Sequence, residues 1–221
     1  MANSVKISLR KLQRIEVLSL INSLRLHLDA IHLFRINSLP SAFQLSVLAL
    51  EEFGKAKALD DFVWNITTHG NKRDYGAQLK YLERLYLHPW KQGAALFRER
   101  YNFSAKYLRA IENKELEARK QAAVYVGLRR INGKIDAKGR ISDPSCIKEK
   151  EVKQQISLLN DIFLEIAAMV DYEGMYFDTR GMDQVIDSDL HQFLEGWASR
   201  SGLKNRRKMI NLKAAIKSRS S

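Results

Sequence analysis

Pro40-Ser41-Ala42-Phe43-Gln44-Leu45-Ser46-Val47-Leu48-Ala49-Leu50-Glu51-Glu52-Phe53-Gly54-Lys55-Ala56 reads as one helix. Ser38 suits its N-cap and Pro40 its first turn, where a missing N–H goes unnoticed. Leu45, Leu48, Glu52, Lys55 and Leu59 recur at helical spacing, so a carboxylate and an amine sit inside a leucine-rich stripe. Two adjacent acids cannot both face water from a helix flanked by apolar faces. One of Glu51 and Glu52 is therefore expected at a buried or partner-facing position, with Lys55 as counter-ion, because an unpaired buried charge is costly. Gly54 costs roughly 1 kcal/mol of helix propensity. A backbone or a ligand passing close by would explain it.

Outward from this helix the periodicity stays helical. A long amphipathic helix is expected over residues 8–35, with Val17, Leu20, Leu24, Leu28 and Ile31 as its apolar stripe. The acid-bearing helix should run to about Thr67. A third is expected from Gly76 to about Leu87 and a fourth from about Trp90 to Asn113, broken apart at His88-Pro89-Trp90. A fifth begins near Lys114. Asn132-Gly133 between apolar residues signals a short hairpin or ordered loop within residues 125–144. Helix resumes over about 145–170, followed by shorter helices near Leu190 to Ala198 and Asn205 to Ser218.

The chain has 221 residues, one cysteine and a formal net charge of +12. Cys146 alone excludes an internal disulfide framework and any zinc site built from several cysteines, and it fits a reducing cytoplasm. No run of 18 apolar residues occurs and the N-terminus lacks a signal-peptide core, so no membrane span is expected. From Arg200 onward there are eight Lys/Arg and no acid, which leaves about +4 for the rest. Arg206, Arg207 and Lys208 are the centre of this basic tail and candidates for nucleic-acid contact. The histidines His27, His32 and His191 lack acid or cysteine partners at ligand spacing, so neither a metal nor another cofactor is expected.

The apolar run ending in Glu51-Glu52-Phe53-Gly54-Lys55-Ala56 resembles the marker helix of AbiV-type abortive infection proteins, a branch of the HEPN superfamily of helical bundles. Two further matches support the resemblance, which spans roughly residues 20–165. His88-Pro89-Trp90-Lys91 supplies a His-x-x-Lys at the expected distance, with His69 and Lys72 as a lesser rival. Lys120-Gln121-Ala122-Ala123-Val124-Tyr125-Val126 resembles the family's Lys-Gln-x-Ala-x-Tyr-Val-Asp run, with Gly127 where the aspartate is expected. HEPN ribonucleases pair an Arg and a His four to six residues apart at a dimer interface and cleave RNA without metal. Here three residues separate Arg84 from His88, which departs from that pattern.

The fold expected is all-α: an HEPN-like helical bundle over residues 1–170 with a small loop or hairpin insertion. A C-terminal helical extension over 171–221 follows, ending in the basic tail at 200–221. The resemblance implies a cytoplasmic bacterial antiphage protein acting at the level of RNA or translation, as a homodimer. Glu51, Glu52 and Lys55 form a central polar cluster in that reading, facing His88 and Lys91. In an enzymatic version His88 is the acid/base, Arg84 or Lys91 stabilises phosphate charge, and Glu52 orients the histidine or lysine. Arg84 would share a helix face with His88, four residues on. Two alternatives stand beside the ribonuclease: a non-catalytic binding module for a phage or ribosomal protein, and a nucleic-acid-binding bundle driven by the tail.

Overall fold

A computed structural model describes residues 7–69, 75–96, 104–128, 130–131, 134–139 and 141–197. Helix α1 (Leu9–Arg35) opens on Ser8, whose hydroxyl accepts from the Lys11 N–H. Helix α2 (Leu39–His69) follows after three residues, with Asn37 at a left-handed φ of 62°. So short a connection folds the two helices back on each other. Asn22 accordingly meets Glu52, and the Ser23 hydroxyl donates to the Ala49 carbonyl at 2.6 Å.

A third long helix, α7 (Glu149–Glu173), completes the central layer. Phe163 packs edge-on against both His27 of α1 and Phe53 of α2. The main core runs through Leu20, Ile31, Leu50, Phe53, Ile156 and Leu159, all essentially excluded from solvent. It continues without a break into Phe177, Met182 and Leu194, so α8 (Arg180–Asp183) and α9 (Ser188–Glu195) close over the same interior. A second, smaller apolar cluster joins Leu12, Leu59, Phe62 and Leu85, where α3 (Tyr75–Arg84) meets the ends of α1 and α2. The chain is an all-α bundle, as its periodicity implies.

Two expectations are corrected here. The third helix stops at Arg84 and α4 (His88–Ala94) begins at His88, with Pro89 inside its first turn. His88-Pro89-Trp90 thus starts a helix instead of merely interrupting one, because a proline at that point removes only an N–H the helix could not have used. Arg84 and His88 consequently lie on different helices and share no face. The expected helix from Trp90 to Asn113 is also not continuous. It turns at Ala95 and Leu96, and α5 (Ala105–Glu112) restarts on Ser104, whose side chain caps the Tyr107 N–H. Helix α6 (Glu115–Ala122) follows after Lys114, held at φ 60°.

The hairpin signal is realised. Strands β2 (Arg130–Ile131) and β3 (Lys134–Ile135) pair antiparallel with Ile131 opposite Lys134. Asn132 and Gly133 lie outside the described residues. β1 (Gly127–Leu128) pairs with β4 (Ile141–Ser142) beneath that hairpin. The expected helix over Asn205 to Ser218 also lies outside the described residues.

Candidate functional site

Glu51 is the acid that the α2 sequence drives inside: it is 1% exposed. Its Oε2 accepts from His88 Nδ1 at 2.6 Å, and its Oε1 accepts from Gln92 Nε2 and Lys120 Nζ, each at 2.8 Å. Lys91 Nζ stands 3.6 Å from Oε2. Lys120 also reaches Glu117 at 2.7 Å. The group therefore contains two carboxylates and two ammoniums, and it is charge-balanced when His88 is neutral. Such balance is what makes buried charge tolerable. Burial works against ionisation of Glu117, but the hydrogen bonds from Lys120 and Gln121 and the charges of Lys120 and His88 outweigh it, holding the carboxyl below its usual range.

Two helices, α2 and α4, are brought together at one glycine. A Cβ on Gly54 would lie 1.9 Å from the Lys91 carbonyl oxygen and 2.8 Å from the Ala95 nitrogen. Only the bare backbone of α2 lets α4 come this close, and that approach delivers His88, Lys91 and Gln92 to Glu51. The glycine's low helix propensity thus has the cause expected of it, a passing backbone.

His88 differs from its partners in being open. Its side chain is 47% exposed, whereas those of Lys91 and Lys120 are 10% and 4% exposed. An ionised carboxylate only accepts, so Glu51 selects the tautomer with the proton on Nδ1. In the neutral ring Nε2 is then the acceptor, on a half-exposed side chain. A cleft of about 850 Å³ opens among α2, α3, α4 and α5, with Tyr81, Leu87, Pro89 and Trp90 on its walls; His88 follows Leu87 in the chain but does not line it.

The sequence reading placed the acids one residue off. Glu52 does not orient His88 or Lys91. It accepts from Lys55 at 2.7 Å and from Asn22 at 3.2 Å at the edge of the α1–α2 contact. Lys55 is therefore the counter-ion of Glu52, and the buried Glu51 draws its cations from α4 and α6. The stripe drawn through Leu45, Leu48 and Glu52 is the half-buried flank of α2; the fully buried positions are Val47, Leu50, Glu51 and Phe53. Arg84 is exposed at the end of α3 and makes no contact with Glu51 or Glu117.

Lys120, Gln92 and Glu117 join the candidate site and are not among the residues expected from the sequence. A signal for Lys120 is present: it opens the Lys-Gln-x-Ala run that carries part of the family resemblance. Glu51, His88 and Glu117 also place one ligand atom each within 4.8 Å of one another, in the manner of a metal site. The Lys120 ammonium bridges the two carboxylates, so a cation already stands in that gap. His191 proves to have acid neighbours after all, Asp171 at 3.8 Å and Glu195 at 3.9 Å, on the bundle surface. Its i, i+4 spacing to Glu195 was visible in the sequence. The rival motif's Lys72, the His69 side chain and the tail residues Arg206, Arg207 and Lys208 lie outside the described residues. No helix among the described residues is long and apolar enough to cross a membrane.

Comparison with known proteins agrees with the geometry. No curated protein matches the chain significantly, and no solved structure does. A family model described as AbiV, of the HEPN group, matches residues 11–165, a span that contains Glu51, Gly54, His88, Lys91 and Lys120. With well over half of its length matched, the chain belongs to the AbiV family of HEPN proteins.

Proposed function

We propose that this chain is a bacterial abortive-infection protein that blocks phage propagation, and that His88 is the acid/base group of a metal-independent ribonuclease site. Membership of the AbiV family supports the defence role. The chemical reading rests on one observation: a half-exposed imidazole whose Nδ1 is held at 2.6 Å by a carboxylate excluded from solvent. In this reading Nε2 takes the proton of an RNA 2′-hydroxyl as its oxygen attacks phosphorus. The P–O5′ bond breaks, giving a 2′,3′-cyclic phosphate and a 5′-hydroxyl. Glu51 stabilises the imidazolium so formed, and Lys91 contributes positive charge toward the phosphate. The proton for the leaving oxygen comes from a second His88 in a homodimer. Arg84, exposed on the neighbouring helix, is the nearest arginine in sequence for the phosphate.

The test is to incubate purified wild type and His88→Ala with structured and single-stranded RNA in EDTA, and to read the fragment ends. Cleavage with cyclic-phosphate ends is expected from wild type, falling about 100-fold or more in the variant. Equal cleavage by both proteins would remove His88 from the reaction.

One observation favours a second reading. Lys91 and Lys120 are engaged by internal carboxylates and are nearly buried, and among the described residues no arginine joins them at Glu51. On that view the cluster fixes the register of α2, α4 and α6, and the protein binds a phage or ribosomal protein without catalysis. RNA left intact by wild type, even with extract from infected cells, would favour this version.

A further inference from the structure

A second cleft, of about 640 Å³, lies between the start of α1, the end of α2 and the segment entering α8. Its α2 residues Trp64 and Thr67 follow Glu51 by 13 and 16 positions, about 160–220° around the helix, so it opens on the side away from His88. Arg10, Arg14 and Arg180 line it together with Asp178. All three arginines are exposed, and none has a hydrogen bond or ion pair among the described residues. Three guanidiniums against one carboxylate give the lining a charge of +2. Unpaired like charges that converge on a concavity repel one another, and an anion between them would remove the repulsion.

The concavity has a built floor. Asp60, fully buried, accepts the backbone N–H groups of Asp178 at 3.0 Å and Thr179 at 2.9 Å. Glu16, also fully buried, accepts the Thr179 hydroxyl at 2.6 Å. Two carboxylates taken out of water thus pin the two residues just before Arg180 against α1 and α2. Trp64 adds an aromatic surface, 37% exposed, at the rim of the same cleft.

We infer that this cleft binds single-stranded nucleic acid, with backbone phosphates on Arg10, Arg14 and Arg180 and a base against Trp64. Guanidiniums suit phosphate oxygens, and an indole beside them offers the stacking platform that only an unpaired base can use. The site is separate from His88, so strand binding here stands or falls independently of cleavage there.

A fluorescein-labelled oligouridylate, titrated into the full-length chain at several salt concentrations, tests this. The triple variant Arg10→Ala/Arg14→Ala/Arg180→Ala should weaken binding at least tenfold and reduce the slope of log K against log salt by about 2, three contacts at about 0.7 each. The charge-matched control is Lys106→Ala/Lys138→Ala/Lys150→Ala, all exposed and outside the cleft. It should fall well short of both effects. Trp64→Leu should weaken binding several-fold with the slope unchanged, and the arginine triple stands as the decisive variant if Trp64→Leu loses stability. The proposal is overturned if the arginine triple behaves like the lysine control. It is also overturned if a folded Trp64→Leu binds normally while inorganic tripolyphosphate competes as well as the oligonucleotide, since the cleft would then hold phosphate without recognising a strand.

Discussion

Glu51 and Asp60 lie nine residues apart on α2, about half a turn of phase and 14 Å along the axis, and each anchors a buried acidic cluster. The clusters keep their carboxylates inside by opposite means. Around Glu51 the partners are cations, Lys91 and Lys120, together with an imidazole that reaches solvent. Around Asp60 the partners are backbone N–H groups, with Lys57 at 3.6 Å, and the neighbouring Glu16 has a threonine hydroxyl on one oxygen and, among the described residues, no hydrogen-bond donor on the other. Burial pushes the Glu16 carboxyl up to about 7, opposed by the Thr179 hydrogen bond and reinforced by the charge of Asp60. Burial likewise raises Asp60, against the pull of Lys57 and the two backbone donors. An acid held by ammoniums and an imidazole is placed to orient a reactive group. An acid held mainly by backbone N–H groups, with one lysine nearby, is placed to clamp a loop.

The sharpest way to break this contrast is to delete one acid from each cluster. Glu51→Leu leaves Lys91 buried without its carboxylate and Lys120 with Glu117 alone, and should cost about 3–5 kcal/mol in urea unfolding. Glu16→Leu removes an acid that is half protonated at neutral pH and should cost clearly less. Equal losses would mean that the cation-rich cluster has no special electrostatic role. Gly54→Ala comes next. Its methyl group collides with the backbone of α4, so the helices must part, at about 3 kcal/mol. The same displacement should pull His88 off Glu51, seen as loss of the strongly downfield Nδ1 proton resonance. Retention of that resonance would show that α4 does not depend on the glycine for its position.

Helical periodicity made most of the bundle legible, because amphipathic stripes such as Leu20, Leu24 and Ile31 carry their burial in their spacing. The close approach at Gly54 was legible for the same kind of reason, since a glycine inside a strong helix needs a cause. What stayed hidden was the identity of the inward acid. Glu51 and Glu52 differ by only 100° of helix phase, and the choice depends on where α4 and α6 dock, which is decided by contacts 37 to 69 residues away in sequence. Lys120 was unreadable as a site residue on its own for that reason. The break between α3 and α4 was misjudged because Pro89 satisfies a helix start as well as it blocks a helix interior.

Acidity offers a finer test of the contrast, through two groups on α1. For Glu16 the folded form keeps its proton up to about 7 while the unfolded chain releases it near 4.5. Its stabilising effect is therefore complete below about 4.5 and lost as pH rises through 7. His27 works in reverse. Buried beneath Phe163, it titrates near 4 in the fold against 6.5 unfolded, because burial disfavours its charge more than the Asn160 hydrogen bond favours it. Its contribution is complete above about 6.5 and lost as pH falls through 4. Between about 4.5 and 6.5 the two slopes oppose each other, so the contributions of these two groups nearly cancel there. Glu16→Gln should expose the His27 slope, a loss on the order of 2 kcal/mol as pH drops from 6.5 to 4.5. A variant with the same pH slope as wild type would place the Glu16 proton elsewhere.

The smallest effect falls on the pair that looked most prominent in the sequence. Lys55 and Glu52 form an i, i+3 contact whose side chains are 19% and 18% exposed, and Glu52 keeps Asn22 as a second partner. Lys55→Ala should therefore cost only about 0.5 kcal/mol, as partly solvated helix pairs do. It should also leave the His88 Nδ1 resonance where it was, because neither side chain reaches the Glu51 carboxylate. If Lys55→Ala instead destabilised the fold as much as Glu51→Leu and shifted that resonance, the inward acid would be Glu52. The assignment of His88 to Glu51 would then fall with it, since a single helix cannot turn both carboxylates toward α4.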